Sequence, residues 1–315
     1  MAGLTLSEIA KHFSDEGEAY KLVERLRWAN SPVCPHCGSV NHAYYLEPKE
    51  GARKTRKGAP TYRRVWKCGD CRKQFSVLVG TIFEDSHIPL AKWLLAVHLM
   101  CSDKNGVSAH ELHRTLGITY RSAWFMAHRI RYAMERPPLV DKLQGIVEAD
   151  ETYIGGKAHG KRGRGAENKT PIVTLVERDG EARSQVMKRV TGKNIKKVLH
   201  EHVDREATLM TDQLPVYVQP SKDFASHERV DHSQGEYVRG NAHTNTAEDY
   251  FSQLKRSIDG TYHHVSEQHL HRYLAEFDYR YNARKCKDGD RTEQAIKQVA
   301  GKRLTYSDSS SIQTR

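Results

Sequence analysis

Four cysteines constrain this chain more tightly than any other feature in it. Cys34 and Cys37 form one C-x2-C pair, Cys68 and Cys71 form a second, and 30 residues separate the two. Each pair bends the backbone into a knuckle that aims two thiolates at one point, and two knuckles complete the tetrahedral thiolate site that Zn²⁺ favours. Gly38 and Gly69 follow ligand positions, where a missing Cβ eases the turn. A zinc ribbon holding one structural Zn²⁺ is therefore predicted over residues 34–89. A reduced redox pair is the competing use of such spacing. Disulfides are not expected, because no signal peptide is evident and the longest apolar run, "WLLAVHLMC", is about half a membrane span, which points to the cytoplasm. Cys101 and Cys286 have no partner at ligand spacing and read as ordinary thiols.

The segment between the knuckles is strongly basic. Residues 47–67 hold Lys49, Arg53, Lys54, Arg56, Lys57, Arg63, Arg64 and Lys67 against Glu47 and Glu50, in a chain of net charge +11. Such a loop either tracks phosphates or is simply solvated. Residues 1–33 read as a helical segment ahead of the ribbon. Beyond it, residues 90–136 have helical spacing and contain a helix-turn-helix pattern, "VSAHELHRTLGITYRSAWFMAHRIR". Ser108 is placed to cap a first helix with Glu111 three residues on, Leu112 and Leu116 give its apolar face, and Gly117 suits a left-handed turn. Trp124, Ala127 and Ile130 are expected to pack inward, which leaves Tyr120 and Arg121 at the start of the second helix to face a DNA major groove. Helix pairs of this kind also occur in bundles that bind nothing.

After "RPPLV" the pattern alternates strand and helix candidates up to about residue 305, and the serine-rich tail 306–315 reads as disordered. The segment opens on "GIVEADETYIGG", where Glu148, Asp150 and Glu151 interrupt an apolar strand. Alternation puts Glu148 and Asp150 on one face and Glu151 on the other. Asp212 ends the strand candidate "ATLMTD", and Glu248 lies early in a helix, seven residues before Lys255 on the same face. Each carboxylate has an ordinary structural alternative: a turn former at Asp150, an Asx turn at Asp212, a capping box from Asn245 to Glu248. Together they suit Mg²⁺ or Mn²⁺, a hard cation that takes oxygen ligands from separate elements, and a two-ion site would serve phosphoryl transfer. The glycine-rich loop with Lys157, Lys161, Arg162, Arg164 and Lys169 is a candidate DNA grip, and the histidines at 263, 264, 269 and 271 read as surface or DNA-contacting groups.

The strings "CPHCGS", "WKCGDCRKQFSVLVGTIFEDSHIPLAKW", "VEADETYIGGK", "TDQLPVY" and "HTNTAEDYFSQLKRSIDGTYHHVSEQHLHRYLAEFDYRYN" resemble the zinc-ribbon branch of bacterial DDE insertion-sequence transposases, relatives of the eukaryotic Merlin elements. The resemblance covers nearly the whole chain. It implies a multidomain α+β protein whose residues 140–305 form a ribonuclease-H-like, retroviral-integrase-like catalytic domain, a mixed sheet flanked by helices. It implies Asp150, Asp212 and Glu248 as the acidic triad with Lys255 beside DNA; Asn245, one turn earlier, is the rival third ligand. The implied activity is cleavage at terminal inverted repeats and joining of 3′-hydroxyl ends to target DNA. The implied partners are double-stranded DNA and at least a second copy of the chain, in a bacterial, nucleoid-associated setting without membrane. A non-catalytic DNA-binding regulator, or a nuclease that cuts without joining, are the alternatives.

Overall fold

The computed structural model describes residues 15–29, 31–48, 53–54, 58, 60–61, 63–136, 141–156, 168–231, 238–305 and 308. Lys157, Lys161, Arg162 and Arg164 of the proposed DNA grip, Lys49, Arg56 and Lys57 of the basic loop, the segment before Asp15 and nearly all of the tail lie outside them. The chain divides into two compact units: one reaches Met134 and includes a returning segment from Cys286, and the other runs from Glu135 to Lys285.

The first unit begins with α1 (Glu16–Trp28), capped by the Asp15 carboxylate on the Glu18 N–H at 2.9 Å. The ribbon sheet follows, with β1 (Ala43–Tyr45), β4 (Trp66–Cys68) and β5 (Gln74–Phe75) antiparallel in that order. Between β1 and β4, β2 (Arg53–Lys54) and β3 (Pro60–Thr61) form a two-stranded hairpin of their own. Strands this short cannot hold a ribbon alone, and α1 supplies part of what is missing. The Glu24 carboxylate, nearly buried on α1, accepts from Arg64 Nε at 2.9 Å and Trp66 Nε1 at 2.8 Å, and Trp28 packs edge-on against Trp66 and Phe75. The N-terminal helix is thus part of the ribbon body. Arg64, one of the loop's basic residues, neutralises Glu24 and lies 4.1 Å over the Tyr45 ring.

Helices α2 (Leu90–Ser102), α3 (Ala109–Leu116) and α4 (Tyr120–Met134) come next. Pro89 offers α2 no side-chain cap, and the Glu16 carboxylate takes that place from α1, accepting from the Leu90 and Ala91 N–H groups at 2.6 and 2.9 Å. Ser108 caps α3 through the Glu111 N–H, Leu112 and Leu116 are buried, and Gly117 turns the chain at φ 59°, a conformation that L side chains resist. Ala127 and Ile130 are fully buried, whereas Trp124 is only half-buried, its ring set against His128 at 4.1 Å.

The second unit is an α/β/α sandwich around five strands: β6 (Ile146–Gly155), β7 (Lys169–Glu177), β8 (Ala182–Val186), β9 (Thr208–Asp212) and β10 (Ser226–Val230). Their spatial order is β10-β9-β6-β7-β8; β6, β7 and β8 meander antiparallel, and β9 and β10 lie parallel to β6. Helix α5 (Gly192–His202) covers one face, where Val147, Ala149, Val173, Leu175 and Leu209 meet Ile195, Val198 and Leu199. Helices α6 (Asn245–Ser257) and α7 (Glu267–Asn282) cover the other, packing Phe251, Leu254, Leu270, Leu274 and Phe277 on Ile154, Ile172 and Val176. A core on both faces explains why β7 is apolar at the consecutive pairs Ile172–Val173 and Leu175–Val176.

A last helix, α8 (Asp288–Lys297), belongs to the first unit, where it packs on α2 and sets Thr292 Oγ1 2.9 Å from His98 Nδ1. The domain expected to run through residue 305 therefore ends near Lys285. The physical reason is burial: Ala295, Ile296 and Val299 find their apolar partners in the first unit. Among the described residues, no helix is long and apolar enough to cross a membrane.

Candidate active site and metal centre

The four ribbon cysteines converge, with all four sulfurs within 4.8 Å of one another. Cys34 Sγ lies 3.7 Å from Cys71 Sγ and Cys37 Sγ 3.7 Å from Cys68 Sγ. A tetrahedron with Zn–S bonds of about 2.3 Å has edges of about 3.8 Å, so this spacing is that of four thiolates sharing one Zn²⁺. Burial pushes the Cys34 thiol up, but N–H groups of His36 and Cys37 together with neighbouring thiols bring it down to about 7, a value suited to a ligand thiolate. Gly69 sits so close to the His42 carbonyl that an added Cβ would lie 2.9 Å from that oxygen, which explains glycine between the second pair of ligands. Cys101 is buried in α2 and Cys286 lies in the returning segment, both apart from the cluster.

In the second unit the parallel ladder brings two of the predicted carboxylates side by side. Its last pair is Ala149 with Thr211, so Asp150 and Asp212 stand one residue beyond it on neighbouring strands, about 4.8 Å apart in backbone spacing. Their face is the one that α6 covers. Glu248 lies in the first turn of α6, exposed, and Lys255 is exposed two turns along the same helix. Asp150 responds to this company: burial first, then the charges of Glu151, Asp212 and Glu248, outweigh a hydrogen bond from the Glu151 N–H and push its carboxyl up to about 7. Such an excess of negative charge in hard oxygen donors fits a divalent cation, which would reverse the shift. Among the described residues these carboxylates are not drawn as close as the cysteines.

The structural alternatives separate cleanly. Asp212 does close an Asx turn, its Oδ1 accepting from the Leu214 N–H at 3.0 Å. The capping box from Asn245 does not form: Thr244 is the cap residue, Asn245 is the first helical residue, and Glu248 Oε1 lies 3.3 Å from Thr244 Oγ1. Both Asn245 and Glu248 are exposed, so exposure does not choose between them.

Two further acids explain the strand's composition. Glu148 is fully buried, paired with Arg178 at 2.7 Å. Glu151, on the opposite face, accepts a hydrogen bond of 2.9 Å from the hydroxyl of fully buried Tyr217, a phenol held well above its ordinary value by burial and by Glu151, Asp150 and Asp212. Tyr217→Phe is therefore expected to cost about 1–2 kcal/mol in denaturant unfolding by leaving part of the Glu151 carboxylate unsatisfied. Sequence reasoning passed over Tyr217, although its place five residues after Asp212 is a visible signal.

The remaining candidates divide. Tyr120 and Arg121 are exposed at the start of α4, with Tyr120 stacked on His110 at 4.3 Å. Lys169 donates to the Gly155 carbonyl at 3.0 Å, tying β6 to β7. His263 and His264 are exposed, but His269 is buried and burial lowers His271 to about 4, so these two are not the surface groups expected.

The family of transposase zinc-ribbon domains matches residues 14–74, and the family of ISXO2-like transposase domains matches residues 142–282. An uncharacterised protein in transposable element ISH50 of Halobacterium salinarum is 30% identical over 287 residues, 86% of this chain and 92% of the relative. Two Mos1 transposase structures, a paired-end complex with the left transposon end and a pre-cleavage transpososome, align at TM-scores of 0.27 and 0.26, with 11% and 10% identity, over 62% of this chain and 71% and 72% of theirs. Scores that low leave the topology to be judged from the sheet itself. With matches to both its ribbon and its sheet domain, and with a relative from a transposable element aligned along most of its length, the chain belongs to the ISXO2-like transposases.

Proposed function

We propose that the chain is a metal-dependent DNA transposase that recognises the terminal inverted repeats of its element, cuts there and joins the 3′-hydroxyl ends to target DNA. The observation that carries this reading is the meeting of Asp150 and Asp212 at adjacent strand ends beneath the helix of Glu248. The sheet order, an antiparallel meander extended by two parallel strands, supports a ribonuclease-H-like domain. Mg²⁺ or Mn²⁺ held there by Asp150, Asp212 and Glu248 would supply electrostatic stabilisation of the attacking and leaving oxygens.

The chain's own residues supply the positioning. Asp150 and Asp212 are fixed by the ladder, Glu248 by its helix, and Lys255 stands two turns along to meet a phosphate of the bound strand. In the first step water attacks a phosphodiester, one P–O bond replaces another, and a 3′-hydroxyl is released. In the second that hydroxyl attacks a phosphodiester of the target, again exchanging one P–O bond and releasing a target 3′-hydroxyl. No covalent link to the protein is needed. The paired helices α3 and α4, with Tyr120 and Arg121 at the exposed start of α4, support a helix-turn-helix that reads end DNA, and the net charge of +11 suits a polyanion. Two DNA ends must be held for joining, which favours self-association.

Purified protein, Mg²⁺, labelled duplexes bearing the element's terminal repeats and a supercoiled target plasmid test the reading. Cleaved ends and covalently joined products are expected. Cleavage without joining would leave a nuclease, and specific binding without either would leave a regulator.

A further inference from the structure

Glu148 takes part in more than charge balance on its strand. Its carboxylate is fully buried and reaches from β6 to the start of α6, where Oε2 accepts from the Thr246 and Ala247 N–H groups at 2.8 and 3.0 Å and Oε1 from Thr246 Oγ1 at 2.9 Å. Those two N–H groups are donors that a helix ordinarily satisfies with its own cap side chain. Here Thr244, the cap residue, makes no such bond. The cap comes instead from a strand about a hundred residues earlier in the chain. Arg178, just beyond β7, donates Nε to Glu148 Oε1 at 2.7 Å and Nη2 to the His243 carbonyl at 3.0 Å, and His243 Nδ1 lies 3.3 Å from Glu148. Arg178 thereby grips both the carboxylate and the backbone entering the helix.

The placement of this clamp matters. Glu148 is two residues from Asp150 on the same strand face, and the N–H groups it holds belong to the residues just before Glu248. One rigid side chain therefore spans the element bearing the first carboxylate and the element bearing the third. Resting on the reading of Asp150, Asp212 and Glu248 as metal-binding groups, we propose that Glu148 is a positioning residue: as a cross-element helix cap locked by Arg178, it sets the separation of Asp150 and Glu248 and thus the affinity of the site for divalent cation. A purely local cap would stabilise α6 equally well but would not tie it to β6.

Mn²⁺ binding to the full chain, followed by electron paramagnetic resonance without DNA, tests this, with thermal unfolding recorded alongside. Glu148→Gln keeps the shape but places an amide donor among donors, and Glu148→Asp keeps the charge but shortens the reach. Both are expected to raise the Mn²⁺ concentration for half-saturation by about tenfold or more, the usual scale when a group supporting a metal ligand is lost. The amount bound at saturation should stay near wild type. A merely structural role would instead lower the amount bound, through unfolded protein, and leave half-saturation unmoved. If Glu148→Gln does not fold, Glu148→Asp decides. Asp150→Asn is the control for the underlying reading. If it binds Mn²⁺ like wild type, the metal site is elsewhere and the proposal falls with it; if it loses Mn²⁺ while both Glu148 variants keep wild-type half-saturation, the positioning role alone is overturned.

Discussion

Asp150→Asn is expected to lower DNA cleavage by about a thousandfold or more, the scale on which a preorganised charged group is lost, while making the metal-free protein more stable. The two effects share one cause. The Asp150 carboxyl is pushed up to about 7, by burial first and then by Glu151, Asp212 and Glu248. Its value in the unfolded chain is about 3.9, so the folded state holds the proton more tightly. Stability of the metal-free protein therefore falls as pH rises from about 4 to about 7, and the full penalty stands above that range. Asn carries no such penalty. Denaturant unfolding in chelator at pH 8 is expected to show Asp150→Asn more stable by about 1–3 kcal/mol, an advantage that shrinks toward pH 4. Added Mg²⁺ should stabilise the wild type and leave the variant unmoved. Wild-type cleavage by Asp150→Asn would overturn the proposed chemistry, and a pH-independent stability difference would overturn the electrostatic account of it.

Loss of zinc is expected to have the largest structural effect. The ribbon sheet has strands of three, three and two residues, too little to fold alone, so the metal supplies the free energy, on the order of 10 kcal/mol for a four-ligand structural site. Wild-type protein should carry close to one zinc per chain, and joint replacement of Cys34 and Cys68 by serine should abolish it. Because Glu24, Arg64 and Trp66 join α1 to the ribbon, the loss should spread to that helix. Near-ultraviolet circular dichroism should lose the signal from Trp28 and Trp66, and hydrogen exchange should quicken across α1. Unchanged zinc content in the double variant would refute the site.

Much of this was legible in the chain because it depends on short-range rules. Knuckle spacing demands a common ligand, so the cysteine cluster could be read directly. Capping at Ser108 and the turn at Gly117 are local, and both appear where their residue types require. Period-two alternation placed Glu148 and Asp150 on one face of β6 and Glu151 on the other, as the two cores confirm. The strand β10 escaped notice because it is a mostly exposed edge, "SHERV", without an apolar face to betray it. The helix α8 escaped because it opens on "DGD" and is polar along most of its length.

The sequence by itself determined which residue types the chain could bring to chemistry: four thiolates at knuckle spacing, and carboxylates at strand ends and a helix start. Only the tertiary structure decided which charges are spent within the protein. Glu148 and Glu151 look like Asp150 in the string "EADE", yet Arg178 and a helix start neutralise one, and Tyr217 holds the other. Arg64 is likewise an ordinary member of a basic run until Glu24 claims it. The alternating pattern that runs to about residue 305 assigns α8 to the second domain, whereas the fold groups it with the first unit, packed on α2. The physical reason is common to all of these. A charge or an apolar face declares itself in sequence, but its partner lies tens to hundreds of residues away, and only the folded sheet and its helices bring the two within bonding distance.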